Sequence, residues 1–425
     1  MKIPEIVAPA GDSQKLEYAY KYGADACYAG MSAFSLRSKT TKFEMDDVLK
    51  GRALAKKLGK KFFMTVNIYP RNNKIPAFMK HLKWLRDEVK PDALIAADAG
   101  VISMIKEVWP EARIHLSVQA NNVNWKSIEF WYNQGVKRVI LSRELSLEEI
   151  KEIHEKVPGI ELEVFVHGSI CVAYSGRCLL SNYMSHRDPN QGSCVQACRF
   201  KYKLLEEAPD GGKVDLLNKK VVLEEEMRPG KFMPISEDSH GTYLMNSRDL
   251  CLVPYLKDLA DAGVHSIKIE GRSKTVYYVA CVCRLYRKAL DDLKAGREFD
   301  ESLMDEAYKI ASRGYTPGFL FGDLGKNSMR YEKSSPIDSA KFIGIFGREV
   351  EPGEYIVDVR NRVETGSEIE VVMPDEVCKV KIKALKELKG RELPVVHGGA
   401  GERLFVVGKK GLSGGVVREK IGSSD

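Results

Sequence analysis

Four cysteines fall within 28 residues, Cys171, Cys178, Cys194 and Cys198, with six, fifteen and three residues between them. In a reducing compartment, clustered thiols more often bind metal or carry redox chemistry than form disulfides. Four thiolates can close a zinc site or hold a [4Fe-4S] cluster. Structural zinc favours knuckles with two residues between paired ligands, and these spacings do not fit that pattern. The C-x3-C-x2-C spacing of radical enzymes is absent too, because the cysteine after Cys194 and Cys198 is Cys251. Gly168, Gly176 and Gly192 flank the run and would let the backbone turn tightly around a cluster. Cys251 stands as an alternative ligand to Cys198. Cys27, Cys281, Cys283 and Cys378 read as small buried residues.

Other chemistry-bearing residues sit just after short apolar runs. They include Asn67, Asp98, Gln119, Asn121, Asn122, Arg143, Glu144, His167, Glu270 and Arg272. Amides, carboxylates and guanidinium groups gathered from several chain positions suit a pocket for a polar ligand. Asn67, Gln119 and Asn121 are candidate binding residues. Arg143, Arg272 and Arg37 are the candidate partners for carboxylates, since a guanidinium can grip one with two parallel bonds. His167 and Glu270 are the candidate catalytic groups.

These positions imply a scaffold. Eight short runs read as strands: 5–8, 26–30, 61–67, 93–97, 114–118, 138–142, 161–166 and 266–270. Amphipathic stretches near 13–22, 43–57, 75–90, 98–107, 124–133, 146–155, 248–262 and 274–293 read as helices. Apolar strands alternating with helices predict a parallel sheet covered on both faces, and eight units predict a closed, TIM-like (β/α)8 barrel over residues 1–334. The alternative is an open doubly wound sheet. Within the seventh unit, residues 167–247 form a cysteine-rich insertion far longer than an ordinary loop between strand and helix. In a barrel it projects from the C-terminal face, where active sites are built. From 335 to 425, short strand-like runs with Gly and Pro turns predict a small antiparallel β-barrel domain.

Apolar residues make up 44% and charged residues 29%, which excludes whole-chain disorder and collagen. No apolar run approaches the length of a membrane helix, and MKIPEIVAPAGD has no signal core, so a cytoplasmic location is expected. The net charge of +7 permits RNA without demanding it. Residues 335–425 hold 15 basic and 15 acidic side chains, so the tail carries none of the surplus. Arg199, Lys201 and Lys203 alternate with Phe200 and Tyr202, a pattern that suits phosphates and splayed bases or simply a half-buried strand.

At this point a resemblance becomes specific. EVFVHGSICVAYSGRCLLS (163–181) resembles the signature of the collagenase-like peptidase U thirty-two family. RDPNQGSCVQACRFKY (187–202), HGTYLMNSRDLCLVPYL (240–256) and GVHSIKIEGRSKTVYYVACVCRLYRKALDD (263–292) resemble its prephenate-dependent tRNA hydroxylation subgroup. The resemblance runs from APAGD near the N-terminus through the β-rich tail. It implies a barrel-like catalytic domain and a [4Fe-4S] cluster on Cys171, Cys178, Cys194 and Cys198. It also implies tRNA as substrate, with wobble uridine converted to 5-hydroxyuridine, prephenate as co-substrate or ligand, and a partner chain of the same family as a further possibility. Prephenate's two carboxylates suit the arginines named above.

Two other readings compete: a peptidase, and an iron–sulfur scaffold that recruits a separate hydroxylase. For the peptidase, no H-E-x-x-H helix exists, and Gly411, Ser413 and Gly415 match G-x-S-x-G only inside a Gly-rich turn. His167 with a cysteine would make a nucleophile pair, but a thiolate that ligates a cluster is not free to attack.

Overall fold

The computed structural model describes residues 2–36, 43–199 except 172, 176, 188 and 192, six short strand segments between 205 and 242, 247–322, and 339–421. Arg37 and the stretch 200–203 lie outside the described residues.

All eight expected strands form. β1 (Glu5–Pro9), β2 (Ala26–Ala29), β3 (Lys61–Thr65), β4 (Ala93–Ala96), β5 (Ile114–Leu116), β6 (Arg138–Ile140) and β7 (Glu161–Ser169) pair in sequence order. After the insertion, β8 (Asp249–Cys251) lies antiparallel to β7, with Cys251 opposite His167. β9 (Val264–Ile269) then runs parallel to both β7 and β1, with Val264 opposite Leu162 and Ser266 opposite Glu5, and this closes the barrel. Strands such as ACYA and ALIA are buried at every position, as a sheet enclosed on both faces requires.

The helices begin where local chemistry satisfies their first amides. Asp12 caps α1 (Ser13–Lys21), and Glu44 with Asp47 forms a capping box on α2 (Met45–Lys57). α3 (Ile75–Trp84) continues as a π turn over Leu85–Val89, and ahead of Pro91 Lys90 takes the left-handed conformation that ends it. Asp98 caps α4 (Ala99–Val108), Asn124 caps α5 (Trp125–Asn133), and Ser146 with Glu149 boxes α6 (Leu147–Lys156).

The expected helix over 248–262 is corrected by the structure. β8 comes first, then a 3-10 turn at Val253–Tyr255, and only Leu256–Asp261 is α-helical. Pro254 lacks the amide that a helix interior needs, and the edge of β7 offers Asp249–Cys251 a ladder instead. The long helix Val276–Lys294 packs between the barrel and the tail and buries twelve side chains. A short helix, Ser302–Tyr308, and a two-residue strand, Tyr315–Thr316, paired to β8, were not expected.

The tail is antiparallel, as expected. Eight strands join in a linear order, with Val416–Lys420 between Glu368–Val372 and Ala340–Glu351. Its own core includes Phe346, Tyr355 and Phe405, and the Phe346 and Tyr355 rings stack at 4.9 Å. The tail is docked on the barrel's helices. The Tyr22 hydroxyl donates to the Val372 carbonyl at 2.8 Å, and Arg284 Nε donates to the Met373 carbonyl at 2.9 Å. Arg418, fully buried, reaches Glu370 at 2.7 Å and Glu306 at 2.8 Å. Among the described residues no helix is long and apolar enough to cross a membrane.

Candidate functional site

The two ends of the barrel lumen differ in chemistry. Toward the N-terminal end, Glu163 is fully buried between Lys268 at 2.6 Å and Arg138 at 3.0 Å, and Arg138 also pairs with Glu161 at 2.7 Å and Glu5 at 2.5 Å. Burial works against the Glu163 carboxylate, yet Lys268 and Arg138 hold it below the usual range. This ion network continues outward to Lys61 and Arg113 and lies away from the C-terminal strand ends, where barrels of this kind build their sites.

At that C-terminal end, the chain that leaves β7 turns across the mouth. The Ser175 amide donates to Glu144 Oε1 at 2.7 Å, and Asn121 Nδ2 donates to the Ser175 carbonyl at 2.5 Å. Arg177 Nε donates to Asn121 Oδ1 at 2.7 Å, with its guanidinium 5.5 Å from the Tyr69 ring centroid. The start of the insertion is thereby pinned to the loops after β3, β5 and β6.

Beside this cap lies a cavity of about 220 Å³, lined by Cys171, Cys194, Cys198, Ser169, Gln196, Glu270, Gly271, Ser273 and Lys274. Three of the four clustered cysteines and Glu270 therefore share one wall. Cys178 is held by Asn190, whose Nδ2 donates to the Cys178 carbonyl at 3.0 Å. Cys171 and Cys194 are exposed and Cys178 and Cys198 half-buried, whereas the other five cysteines are buried. Solvent-reachable thiols can lose a proton and take a metal; burial instead pushes the Cys251 thiol up to about 11. The donor set thus fits a four-thiolate cluster in kind; Cys178 does not line the cavity, and among the described residues no three His, Cys, Asp or Glu side chains stand close enough together to hold a metal ion. Cys251 itself sits in the core on β8, with Sγ 4.0 Å from the Tyr286 hydroxyl, and does not line this cavity.

The other candidate residues divide. Glu270 is held by its backbone: its amide donates to the His167 carbonyl at 2.9 Å, and its carbonyl accepts from the Tyr278 hydroxyl at 2.7 Å. Gly168 has φ +109, and a Cβ there would stand 2.7 Å from that same carbonyl, so the turn needs glycine. His167 faces elsewhere. A bulge at Val166 shifts the register between Phe165 opposite Lys268 and His167 opposite Ile269. The His167 ring then lies among Tyr278, Tyr286 and Tyr315, with centroids 5.3–5.9 Å away, and burial pushes it down to about 4.

Arg272 is buried and donates to Ser35 Oγ at 2.7 Å and Thr65 Oγ1 at 3.3 Å. A Cβ on Gly30 would stand 2.1 Å from Thr65 Oγ1 and 2.2 Å from Ser35 Oγ, so glycine makes room for this arrangement. Arg143 lies 3.8 Å over the Phe165 ring, and its neighbour Glu144 serves Ser175. Asn67 Nδ2 donates to Ser117 Oγ at 3.3 Å. Gln119 is buried, and neither of its amide atoms has a partner among the described residues. The roles of Arg177, Tyr69 and Ser175 at the mouth were missed from sequence. Their signal is only the packing of the insertion onto the barrel.

The Gly-Ser-Gly match is a docking turn. The Ser413 and Gly414 carbonyls accept from Lys21 Nζ at 3.4 and 3.1 Å, at the seam between tail and barrel.

A closed parallel barrel with a thiol-lined pocket at its C-terminal mouth defines a TIM-like scaffold with a cysteine-bearing insertion. The family model for Peptidase family U32 matches residues 11–330, and that for the Peptidase family U32 C-terminal domain matches residues 338–413. The chain belongs to this family. It is 43% identical to tRNA hydroxylation protein P of Escherichia coli (strain K12), covering 93% of this chain and 92% of the relative. It is 44% identical to tRNA hydroxylation protein P of Haemophilus influenzae, covering 93% and 91%. A protein named collagenase from Porphyromonas gingivalis is 27% identical, over 99% of this chain and 96% of its own.

Proposed function

We propose that this protein is a tRNA-modifying hydroxylase that converts wobble uridine to 5-hydroxyuridine in a prephenate-dependent reaction in the cytoplasm. The observation that carries the reading is the 43–44% identity, over more than nine-tenths of the chain, to relatives named for tRNA hydroxylation. The pocket geometry supports it. Cys171, Cys178, Cys194 and Cys198 would hold the [4Fe-4S] cluster, which when bound supplies one-electron redox chemistry or a structural crosslink for the insertion. Glu270 stands on the same cavity wall, suited to accept or return a proton, with Lys274 beside it to favour an anion. Arg272 and Arg143 are the carboxylate partners for prephenate.

The peptidase reading finds no support in the two groups the sequence offered for it. His167 is hydrogen-bonded to Tyr286, and Ser413 belongs to the domain seam. The test is nucleoside analysis of tRNA from a strain lacking this gene and any paralogue. Loss of 5-hydroxyuridine, restored by the wild-type gene, is expected. An unchanged level would refute the function.

A further inference from the structure

Buried polar groups are almost always paired, because an unpaired one loses its water and gains nothing. Several without a partner among the described residues gather at the ends of β5 and β6. Gln119, 1% exposed, has both Oε1 and Nε2 in this state. Asn122 Nδ2, Ser142 Oγ and Glu144 Oε2 are also buried and unpartnered. They lie on adjacent strand ends, beneath the segment that the Ser175 amide ties to Glu144 Oε1. Tyr69 closes the same edge, donating to the Gln119 carbonyl at 2.5 Å.

We propose that this cradle binds the pyrimidine base of the target nucleotide through its imide edge, as a site separate from that for the carboxylate ligand. The inference rests on the tRNA reading above. The inventory decides the ligand class. Gln119 offers an acceptor and a donor side by side, Asn122 adds a donor, and Glu144 adds an acceptor. A uracil edge has a ring N–H flanked by two carbonyls, and a ribose adds a hydroxyl donor. A dicarboxylate has acceptors only and would meet the unpartnered oxygens of Glu144 and Gln119. Arg177, at this edge, is held on Asn121.

The experiment compares binding of the full-length protein to anticodon stem-loop RNAs carrying uridine or 3-methyluridine at the wobble position. Wild type is expected to prefer uridine at least tenfold, since methylation removes the ring N–H. Gln119→Leu is expected to bind both RNAs within twofold of each other, and to melt at a higher temperature because it fills the site with apolar atoms. Asn122→Leu provides a second variant should the first fail to fold, and is expected to weaken uridine binding at least threefold. A preserved tenfold preference in both folded variants would overturn the proposal, as would no preference in wild type. Weakened binding of prephenate by Gln119→Leu, with base preference intact, would assign the cradle to the dicarboxylate instead. None of these results depends on whether deletion abolishes 5-hydroxyuridine, so the two readings can fail separately.

Discussion

The hydroxyl of Ser247 donates to the carbonyl of Ile170 at 2.9 Å, although 77 positions separate them in the chain. The insertion therefore leaves and re-enters the barrel at one point, and β8 returns as the antiparallel neighbour of β7. Arg313 reinforces the junction, donating to the Ser247 carbonyl at 2.9 Å and to Ser169 Oγ at 3.2 Å while pairing with Asp249. A loop whose ends are already joined by a sheet adds little closure cost to the rest of the fold.

Replacing residues 172–246 with a short glycine–serine linker is accordingly expected to leave barrel and tail folded. Circular dichroism should show a cooperative melt within about 8 °C of the full chain, roughly the shift that 1–2 kcal/mol produces in a domain of this size. The truncated protein should bind no iron. A non-cooperative melt would show that the insertion is part of the barrel's core.

The cysteines should separate by location. Anaerobic purification is expected to give about four iron and four sulfide per chain, as one four-thiolate cluster requires. Cys171→Ser, Cys194→Ser and Cys198→Ser should each cut iron at least tenfold with little change in the melt of the barrel. Cys251→Ser should keep its iron and lose about 1–3 kcal/mol, because a hydroxyl replaces a buried thiol in the core. Full iron in Cys198→Ser with none in Cys251→Ser would move the ligand set.

Acid should destabilise the barrel through buried histidine. Burial holds His167 at about 4, against an ordinary value near 6.5. Between those values the unfolded chain binds the proton and the native chain does not, so stability falls as pH drops from 6.5 toward 4. At pH 5 this ring alone should cost about 2 kcal/mol. His115, equally buried and beside Arg138, shifts in the same direction. Urea midpoints at pH 7.5 and 5 measure the slope, which His167→Phe should reduce. An equal slope in that variant would refute the assignment.

The seam between domains depends on Arg418. Its guanidinium is fully buried against Glu370 and Glu306, while Lys309 approaches Glu370 at 3.3 Å. Arg418→Ala leaves those carboxylates without their main partner and is expected to cost about 3–5 kcal/mol, with barrel and tail melting as two transitions. Arg418→Met with Glu370→Leu should recover most of the loss. A single unchanged melt for Arg418→Ala would show that the apolar contacts hold the seam alone.

The strands were legible in the sequence because a parallel barrel buries both faces of each strand, which leaves continuous apolar runs that little else produces. The four clustered cysteines stood apart because they lie outside any apolar pattern, where a thiol has no core to fill. Cys27, Cys281, Cys283 and Cys378 were legible as buried because they sit inside such patterns, whereas Cys251 stood open as a ligand until β8 placed it in the core. Residues 248–262 misled because one apolar stretch can serve a helix or a strand, and only the open edge of β7 made Asp249–Cys251 a strand. His167 sits at a strand end, where alternation would turn it to the mouth, and a one-residue bulge put it among tyrosines instead. Gln119 and Glu144 were visible as polar strand-end residues, but their unpartnered atoms were not, because pairing is a property of neighbours distant in the chain. Sequence alone determined the family and the barrel and singled out the four clustered thiols. The tertiary structure decided which thiols share a wall with Glu270 and which polar atoms wait unpaired, because both depend on how the insertion folds back over the mouth.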